Sequence, residues 1–231
     1  MNEKDNMNRY YELTDETIEF DGHTLHRIVC TESFRNVLKG TYGGFIEGYK
    51  NLKGTAWVDG AAKVYNGAVV SGQALVAGNA CVNRYAYISD RAVVDGNAYV
   101  SGNSVLIGGD VCIYGSVIVR HSSKFRLDII GSANIGGDAV IESNYDYIVF
   151  KNWWSSGRYF TWTKSNDMWR VGCFYGTGKE LIAKAYKDSE VSGREYERVV
   201  KYVEAVKKAD KPTIFQRLKK LFCTTYDLCV N

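Results

Sequence analysis

The chain repeats a six-residue unit nine times in one frame between Ala56 and Gly109. Each unit starts with a small residue, almost always Ala, places an aliphatic residue two positions later, and continues into residues rich in Gly, Asn and Asp. Six residues are too few for a helix-turn-helix repeat, and the apolar positions do not form a helical stripe. The repeat therefore predicts a solenoid of short strands joined by tight corners.

Alternation of side chains along a strand assigns a direction to each position of the unit. The small residue and the aliphatic residue share one side, which must be the interior, and the residue between them faces outward. Gly, Asn and Asp at the corners tolerate the positive φ that a tight turn needs. The predicted interior aliphatic residues are Val58, Val64, Val70, Val76, Val82, Ile88, Val94, Val100 and Leu106.

The repeat continues beyond Gly109 with two irregularities. Asp110 is interpreted as a one-residue insertion, after which Val111 and Ile113 resume the pattern. Residues 123–126 are predicted to form an irregular corner or a short loop. The whole ladder then holds about fourteen units, or nearly five coils stacked at roughly 4.8 Å each.

The segments on either side of the repeat predict three parts, 1–55, 56–144 and 145–231. The first is expected to cap the solenoid, because the first coil otherwise exposes an unpaired backbone edge. It contains a predicted β-hairpin around Asp21-Gly22. The Gly43-Gly44 step is interpreted as a close backbone approach to the first coil, since the strand-loop-helix context of a nucleotide loop is missing.

Residues 145–231 change to short strands followed by helices. The spacing of Thr177 and Glu180 is that of a capping box, which opens the first helix. The strands and helices need one another for a core, so they are predicted to form one α+β module. The predicted elements are strands at 147–150, 159–163 and 168–171, and helices at 177–187, 194–208 and 213–222.

A resemblance to a family extends this interpretation. The order of Arg27-Ile28, Phe34, the G-x-x-G-G-F-I-E segment that starts at Gly40, and the ladder of G-N-A-x-V units resembles hexapeptide-repeat proteins of phages and prophages, and the likeness covers roughly residues 8–208. The resemblance implies a left-handed parallel β-helix and an origin in a mobile element. The expected fold class is mainly β: this solenoid with an N-terminal cap and a C-terminal α+β module. The resemblance brings no catalytic residues with it.

The chemistry-bearing residues predict no cofactor and no metal site. The six cysteines contain no C-x-x-C pair and have no ligand spacing with the three histidines, and Cys81 and Cys112 are expected to be free thiols. The Gly176–Lys179 segment does not meet the phosphate-loop spacing and fits a helix cap better. No apolar run approaches the length of a membrane span and no leader is visible, so we expect a cytoplasmic protein of the host cell without a membrane partner.

His121 is the one histidine within the solenoid, and it falls at a corner. Transferases built on hexapeptide solenoids use a histidine base beside the coils. No acidic residue is placed in the sequence to orient His121, so we interpret it as an ordinary corner residue. The chain is expected not to be an enzyme.

Outward apolar residues predict surfaces for partners. One predicted face carries Val69, Tyr87 and Val105, with Ile107 beside them, and is expected to form a homo-oligomer. The alternative is that these residues only favour strand formation. Adjacent Trp153 and Trp154 cannot both point inward on a strand, so one is expected to anchor a partner or to pack on the solenoid.

The C-terminal helices are basic, with two interpretations. The charge is either an ordinary solvated helical face or a patch that attracts nucleic acid weakly and with a steep salt dependence. The residues of the predicted patch are Lys207, Lys208, Lys211, Arg217, Lys219 and Lys220.

Three functions from different classes fit these observations. The first is a non-enzymatic binding protein of phage or prophage origin that blocks or sequesters a host protein or complex, as in the countering of an antiviral defence. The second is a structural or assembly protein of a phage particle or a surface polymer. The third is a hexapeptide-type acyl- or nucleotidyltransferase.

Overall fold

The computed structural model describes residues 10–123 and 125–209. Its contacts divide the chain into two compact units, one that ends at Thr177 and one that begins at Gly178. The first unit is built of strands and the second of helices. The sequence predicts one α+β module at residues 145–231. The division by contacts instead places the C-terminal strands with the solenoid.

The first unit opens with three strands, β1 (Tyr11–Phe20), β2 (His23–Cys30) and β3 (Tyr42–Ile46). β1 and β2 form the predicted hairpin, with the turn at Asp21-Gly22, and both turn residues have positive φ. β2 pairs antiparallel with β3, and a short 3-10 helix at Tyr49–Asn51 follows.

Fourteen short strands then form a parallel β-solenoid of about five coils, which confirms the predicted fold class. They are β4 (Trp57–Val58), β5 (Lys63–Val64), β6 (Val69–Val70), β7 (Leu75–Val76), β8 (Cys81–Asn83), β9 (Tyr87–Ile88), β10 (Val93–Val94), β11 (Tyr99–Ser101), β12 (Val105–Ile107), β13 (Cys112–Ile113), β14 (Ile118–Arg120), β15 (Leu127–Ile129), β16 (Asn134–Ile135) and β17 (Val140–Ile141). The left-handed winding stays a prediction from the resemblance.

The strands stack into three parallel sheets, which we call faces. The first face continues from the N-terminal hairpin in the order β1-β2-β3-β5-β8-β11-β14-β17. The second face is β6-β9-β12-β15, and the third is β4-β7-β10-β13-β16. In-register pairing places Val58, Val76 and Val94 in one interior column, as predicted. All three are fully buried.

The frame slips earlier than predicted. Val105 follows Val100 by five residues, where four is the regular spacing, so the extra residue lies between Ser101 and Ser104 and not at Asp110. Val105 and Ile107 therefore point inward, and both are buried, while Leu106 pairs with Tyr87 on the outer side. The predicted outward direction of Val105 and Ile107 is wrong, because the sequence frame was carried one residue too far.

Donors of the N-terminal segment cover carbonyl groups of the first coil. The N–H groups of Phe45 and Glu47 in and after β3 bond to the carbonyls of Ala62 and Val64, and the N–H of Lys53 bonds to that of Val70. The Gly43-Gly44 step makes the close approach that was predicted. A Cβ at Gly43 would lie 2.5 Å from the Val58 carbonyl oxygen, so only glycine fits there.

At the C-terminal end, side-chain acceptors cover N–H groups of the last coil. The sheet that follows consists of β18 (Tyr147–Lys151), β19 (Tyr159–Thr163), β20 (Met168–Val171) and β21 (Phe174–Thr177), all antiparallel. The N–H of Asn134 donates to Thr161 Oγ1 at 2.8 Å and the N–H of Val140 to Ser165 Oγ at 2.7 Å. Asp146 Oδ2 accepts from the N–H groups of Glu142 and Ser143 at 2.8 Å each.

The second unit holds two helices within the described residues, α1 (Gly178–Asp188) and α2 (Glu190–Ala209). α1 begins directly after Thr177, as the capping box predicted. α2 begins four residues before the predicted Arg194, with Gly193 inside it. A Cβ at Gly193 would meet the Tyr186 ring at 2.3 Å, so this glycine lets α1 and α2 pack closely. The predicted third helix at 213–222 lies outside the described residues.

Val76→Asp tests the interior assignment. An unpaired carboxylate at this fully buried position should lower the free energy of unfolding by about 3–5 kcal/mol. Chemical denaturation followed by circular dichroism measures the change. Asn79→Asp, at an exposed corner of the same coil, is the matched control and should be close to neutral. Equal stability of the two variants would contradict the interior assignment.

Thr161→Val tests the cap at the C-terminal end. Thr161 is 1% exposed, so its loss as an acceptor leaves the N–H of Asn134 unpaired. The free energy of unfolding should fall by about 1–3 kcal/mol at nearly constant side-chain volume. Thr17→Val, at an exposed position of β1, is the control. If both variants unfold at the same denaturant concentration as the wild type, the hydroxyl does not stabilise this end.

Candidate binding surface

One corner of the prism carries both interruptions of the repeat. It lies between the first and second faces, where β8, β11 and β14 end on successive coils. The extra residue after β11 lies within 101–104, and the four extra residues after β14 lie within 121–126. We call residues 83–85, 101–104, 120–123, 125–126 and 142–145 the interrupted corner. Because the insertions stack on neighbouring coils, they form one surface.

A cleft of about 870 Å³ opens at this corner. Its walls are mostly polar, with hydroxyl, amide and guanidinium groups. The residues that line it are Arg84, Ser101, Gly102, Asn103, Ser104, Arg120, His121, Ser122, Ser123 and Glu142.

A buried ladder of polar side chains supports the cleft from below. Asn83 donates through Nδ2 to Tyr65 Oη at 3.2 Å and accepts from Ser101 Oγ at 2.7 Å. The Tyr65 hydroxyl in turn donates to Asp21 Oδ2 at 3.0 Å. Burial is the largest of the causes that raise the pKa of Tyr65 well above its usual range, so the phenol stays protonated as a donor. The ladder fixes the backbone of three successive coils under the cleft.

Arg84 and Tyr85 adopt an unusual backbone conformation at the mouth of the cleft. Their φ values are 53° and 61°, in the left-handed region that costs a non-glycine residue about 1–2 kcal/mol. The same position of the unit is Gly60, Gly72 or Gly78 in other corners. Strain retained at an exposed corner points to a role for the side chains that it displays.

Among the described arginines of the corner, Arg84 is the one without a carboxylate partner. Arg120 pairs with Glu142 at 2.6 Å, and Arg126 pairs with Asp128 at 2.6 Å. Arg84 forms no ion pair with a carboxylate in the described part of the chain. Its guanidinium is therefore available to a ligand that enters the cleft.

His121 lies in the cleft with both ring nitrogens directed at the backbone. Nδ1 is 2.7 Å from the Glu142 carbonyl oxygen and Nε2 is 2.6 Å from that of Phe125. A carbonyl oxygen only accepts, so neither nitrogen offers a lone pair to a substrate in the cleft. This geometry suits a residue that holds the inserted loop in place better than it suits a general base.

Exposed aromatic side chains surround the cleft. Tyr85 is 63% exposed, Phe125 70% and Tyr145 83%. Asn144 bonds to the carbonyl of Arg126, which places the Tyr145 turn beside the inserted loop. The Tyr85 ring lies over Gly67 of the preceding coil, where a Cβ would come within 2.5 Å of the ring. Aromatic and Arg side chains around a cleft are typical of the centres of protein interfaces.

The residues that the sequence predicted as one face for self-association do not all lie on the surface. On the second face Val69 is half-buried and Tyr87 is 41% exposed, but Val105 and Ile107 belong to the core, so the proposed face loses half of its members. Leu106 takes the outward place, and Asp128 is the next residue of that column. Self-association through this column stays a prediction.

The two tryptophans lie in the turn between β18 and β19 and not on a strand. Trp153 is 74% exposed, and Trp154 is half-buried against Phe160 at a ring distance of 6.1 Å. One ring thus faces out and the other packs inward, as expected. A partner for Trp153 stays a prediction.

The remaining proposed residues fall into two groups. Lys207 and Lys208 end α2, and Lys207 Nζ pairs with Glu204 at 2.9 Å. Lys211, Arg217, Lys219 and Lys220 lie outside the described residues. Cys81 and Cys112 are free thiols, as expected, but Cys81 is buried because Leu25 and Tyr65 cover the outer side of the first face.

Sequence reasoning missed the interrupted corner. Its signal was present in the unit A-C-V-N-R-Y, where Arg84 and Tyr85 replace the usual corner residues. The irregular corner at residues 123–126 was predicted, but the frame error at Asp110 moved the other extra residue from the corner after β11 to the next corner of the prism, so the stacking of the two interruptions was missed.

No group of three or more His, Cys, Asp or Glu side chains in residues 10–123 and 125–209 is placed to hold a metal ion. Neither helix of the described chain is long and apolar enough to cross a membrane. The chain matches no protein-family model, and no curated protein is significantly similar to it.

Arg84→Asn tests whether the corner stores backbone strain. Asn tolerates the left-handed region, and Asn66 occupies the equivalent position one coil earlier with φ 51°. The substitution should raise the free energy of unfolding by about 0.5–1 kcal/mol, measured by chemical denaturation. The reciprocal change Asn66→Arg should lower it. A loss of stability in Arg84→Asn would mean that the Arg84 side chain stabilises the fold.

Proposed function

We propose that this chain is a non-enzymatic protein-binding protein and that the interrupted corner is its recognition surface. The strained Arg84-Tyr85 pair at an exposed cleft carries the proposal, because its left-handed backbone costs about 1–2 kcal/mol per residue and such strain clusters at functional sites. Exposed Phe125 and Tyr145 supply apolar area beside the charge. Large aromatic side chains on a rigid scaffold are the groups that dominate protein interfaces.

The biological setting of the proposal comes from the resemblance to phage and prophage proteins. A small protein of a mobile element that carries a binding surface fits a role in blocking or sequestering a host protein or complex. A part in countering antiviral defence belongs to the same proposal.

The capped ends favour binding over assembly into a polymer. Coil-on-coil growth requires unpaired N–H and carbonyl groups at the ends of the solenoid. Side-chain acceptors take up N–H groups of the last coil at Asn134, Val140 and Glu142, and donors take up carbonyls of the first. The geometry of His121 gives the transferase alternative no support at this cleft.

The double variant Phe125→Ser, Tyr145→Ser tests the recognition surface. Tagged wild-type protein should retain one host protein in stoichiometric amount from a lysate of the host, and that protein, once identified and purified, allows the affinity to be measured. The double variant should bind it at least tenfold more weakly, since buried interface aromatics typically contribute 1.4 kcal/mol or more.

Trp153→Ser is the matched control, because it removes an equally exposed ring from a different part of the first unit. It should leave the affinity unchanged. A loss of binding in Trp153→Ser alone would move the recognition surface to the β18–β19 turn. Filaments in the purified wild type, or turnover with an acyl or nucleotide donor, would replace the proposal by one of the two alternatives.

A further inference from the structure

We infer that the cleft takes an acidic peptide segment, with a carboxylate of that segment bound to Arg84. The inference rests on the proposed function and names the chemistry that the corner recognises in its partner.

The charge balance of the corner defines the ligand. Two of its three arginines already have carboxylate partners, Arg120 with Glu142 and Arg126 with Asp128, and Arg84 has none in the described part of the chain. A planar guanidinium binds a carboxylate through two parallel N–H···O bonds, and such charge-assisted bonds are the strongest that side chains form. One free guanidinium matches one carboxylate.

The neighbouring groups favour an anion and limit its charge. The side chains of Ser104, Ser122 and Asn103 line the cleft and add neutral donors around the arginine. Glu142 stands on the same wall with 55% of its side chain exposed, so it repels a ligand that carries many negative charges. A nucleic acid brings one phosphate per nucleotide and needs several free cations, whereas the described arginines of this corner leave one guanidinium without a carboxylate partner.

The backbone of the corner holds Arg84 in place before a ligand binds. The ladder of Tyr65, Asn83 and Ser101 holds the backbone under Arg84, and its left-handed φ fixes where the side chain leaves the chain. A ligand therefore does not have to order this loop when it binds. Tyr85, next in the chain, and Phe125 of the inserted loop are exposed, and they offer apolar contacts to the residues on either side of the bound carboxylate.

Selection from a displayed library of random short peptides on the immobilised full-length protein tests the inference. Wild-type protein should enrich peptides with Asp or Glu beside an apolar residue. Arg84→Gln should lose the acidic preference. Arg91→Gln removes the same charge from a corner on another edge of the prism, where Arg91 pairs with Asp110 at 2.6 Å, and should keep the preference.

A double-mutant cycle then locates the contact. A selected peptide, labelled with fluorescein, should lose roughly tenfold or more in affinity when its acidic residue is replaced by the amide, and the same amount on Arg84→Gln protein. The two changes together should cost no more than either alone. Arg84→Lys should keep part of the affinity, because lysine retains the positive charge but cannot form the two parallel N–H···O bonds of a guanidinium.

Three outcomes overturn the inference. They are no enrichment over a blank surface, enrichment without acidic residues, and additive losses in the cycle. Tighter binding of labelled single-stranded RNA or of a phosphopeptide than of the selected peptide also overturns it. None of these touches the proposed function, which is tested separately by the binding of the host partner to the Phe125→Ser, Tyr145→Ser and Trp153→Ser variants.

Discussion

Backbone hydrogen bonds between successive coils organise this protein. Many run from an N–H of one coil to a carbonyl of the next, as Trp57 donates to Ala74 and Lys63 to Ala80, and others run the opposite way, as Tyr85 donates to Asn66 and His121 to Ser101. Each end of the solenoid therefore leaves backbone groups that need partners from outside the coils. The N–H groups of β3 and of the segment after it cover carbonyls of the first coil, while Thr161, Ser165 and Asp146 supply oxygens to N–H groups of the last. An end without such a cap would leave buried groups unpaired, which costs more than a missing contact.

The same stacking concentrates irregularity at one edge. An extra residue within a strand would turn its apolar side chains outward, whereas an extra residue at a corner leaves the next strand in register. The insertions after β11 and β14 keep Val105 and Leu127 in the interior. Both fall on the corner that bears the strained Arg84-Tyr85 pair. Local departures from the repeat thus coincide in space although 36 residues separate Arg84 from Arg120 in the chain.

The periodic part of the fold was predictable from the sequence and the aperiodic part only in outline. Ala and Val at fixed spacing identify the interior because the period of a strand leaves no other assignment, and the hairpin at Asp21-Gly22 follows from its turn residues. The slip before Val105 was misplaced, since Ser104 is small enough to imitate the first residue of a unit. The polar ladder of Tyr65, Asn83 and Ser101 was beyond the pattern, because it links outer positions of different coils. The cleft is formed by residues of successive coils that lie far apart in the sequence, so the repeat pattern alone does not predict it.

The corner insertions also bear on how such a protein changes over generations. The four residues added after β14 are anchored by His121 and by Asn144, and the coils above and below continue without adjustment. New lengths and side chains at this edge therefore alter what the molecule touches without disturbing the packing that keeps it folded. A lineage that must follow a changing target can revise one edge of the prism while the ladder of Ala and Val stays as it is.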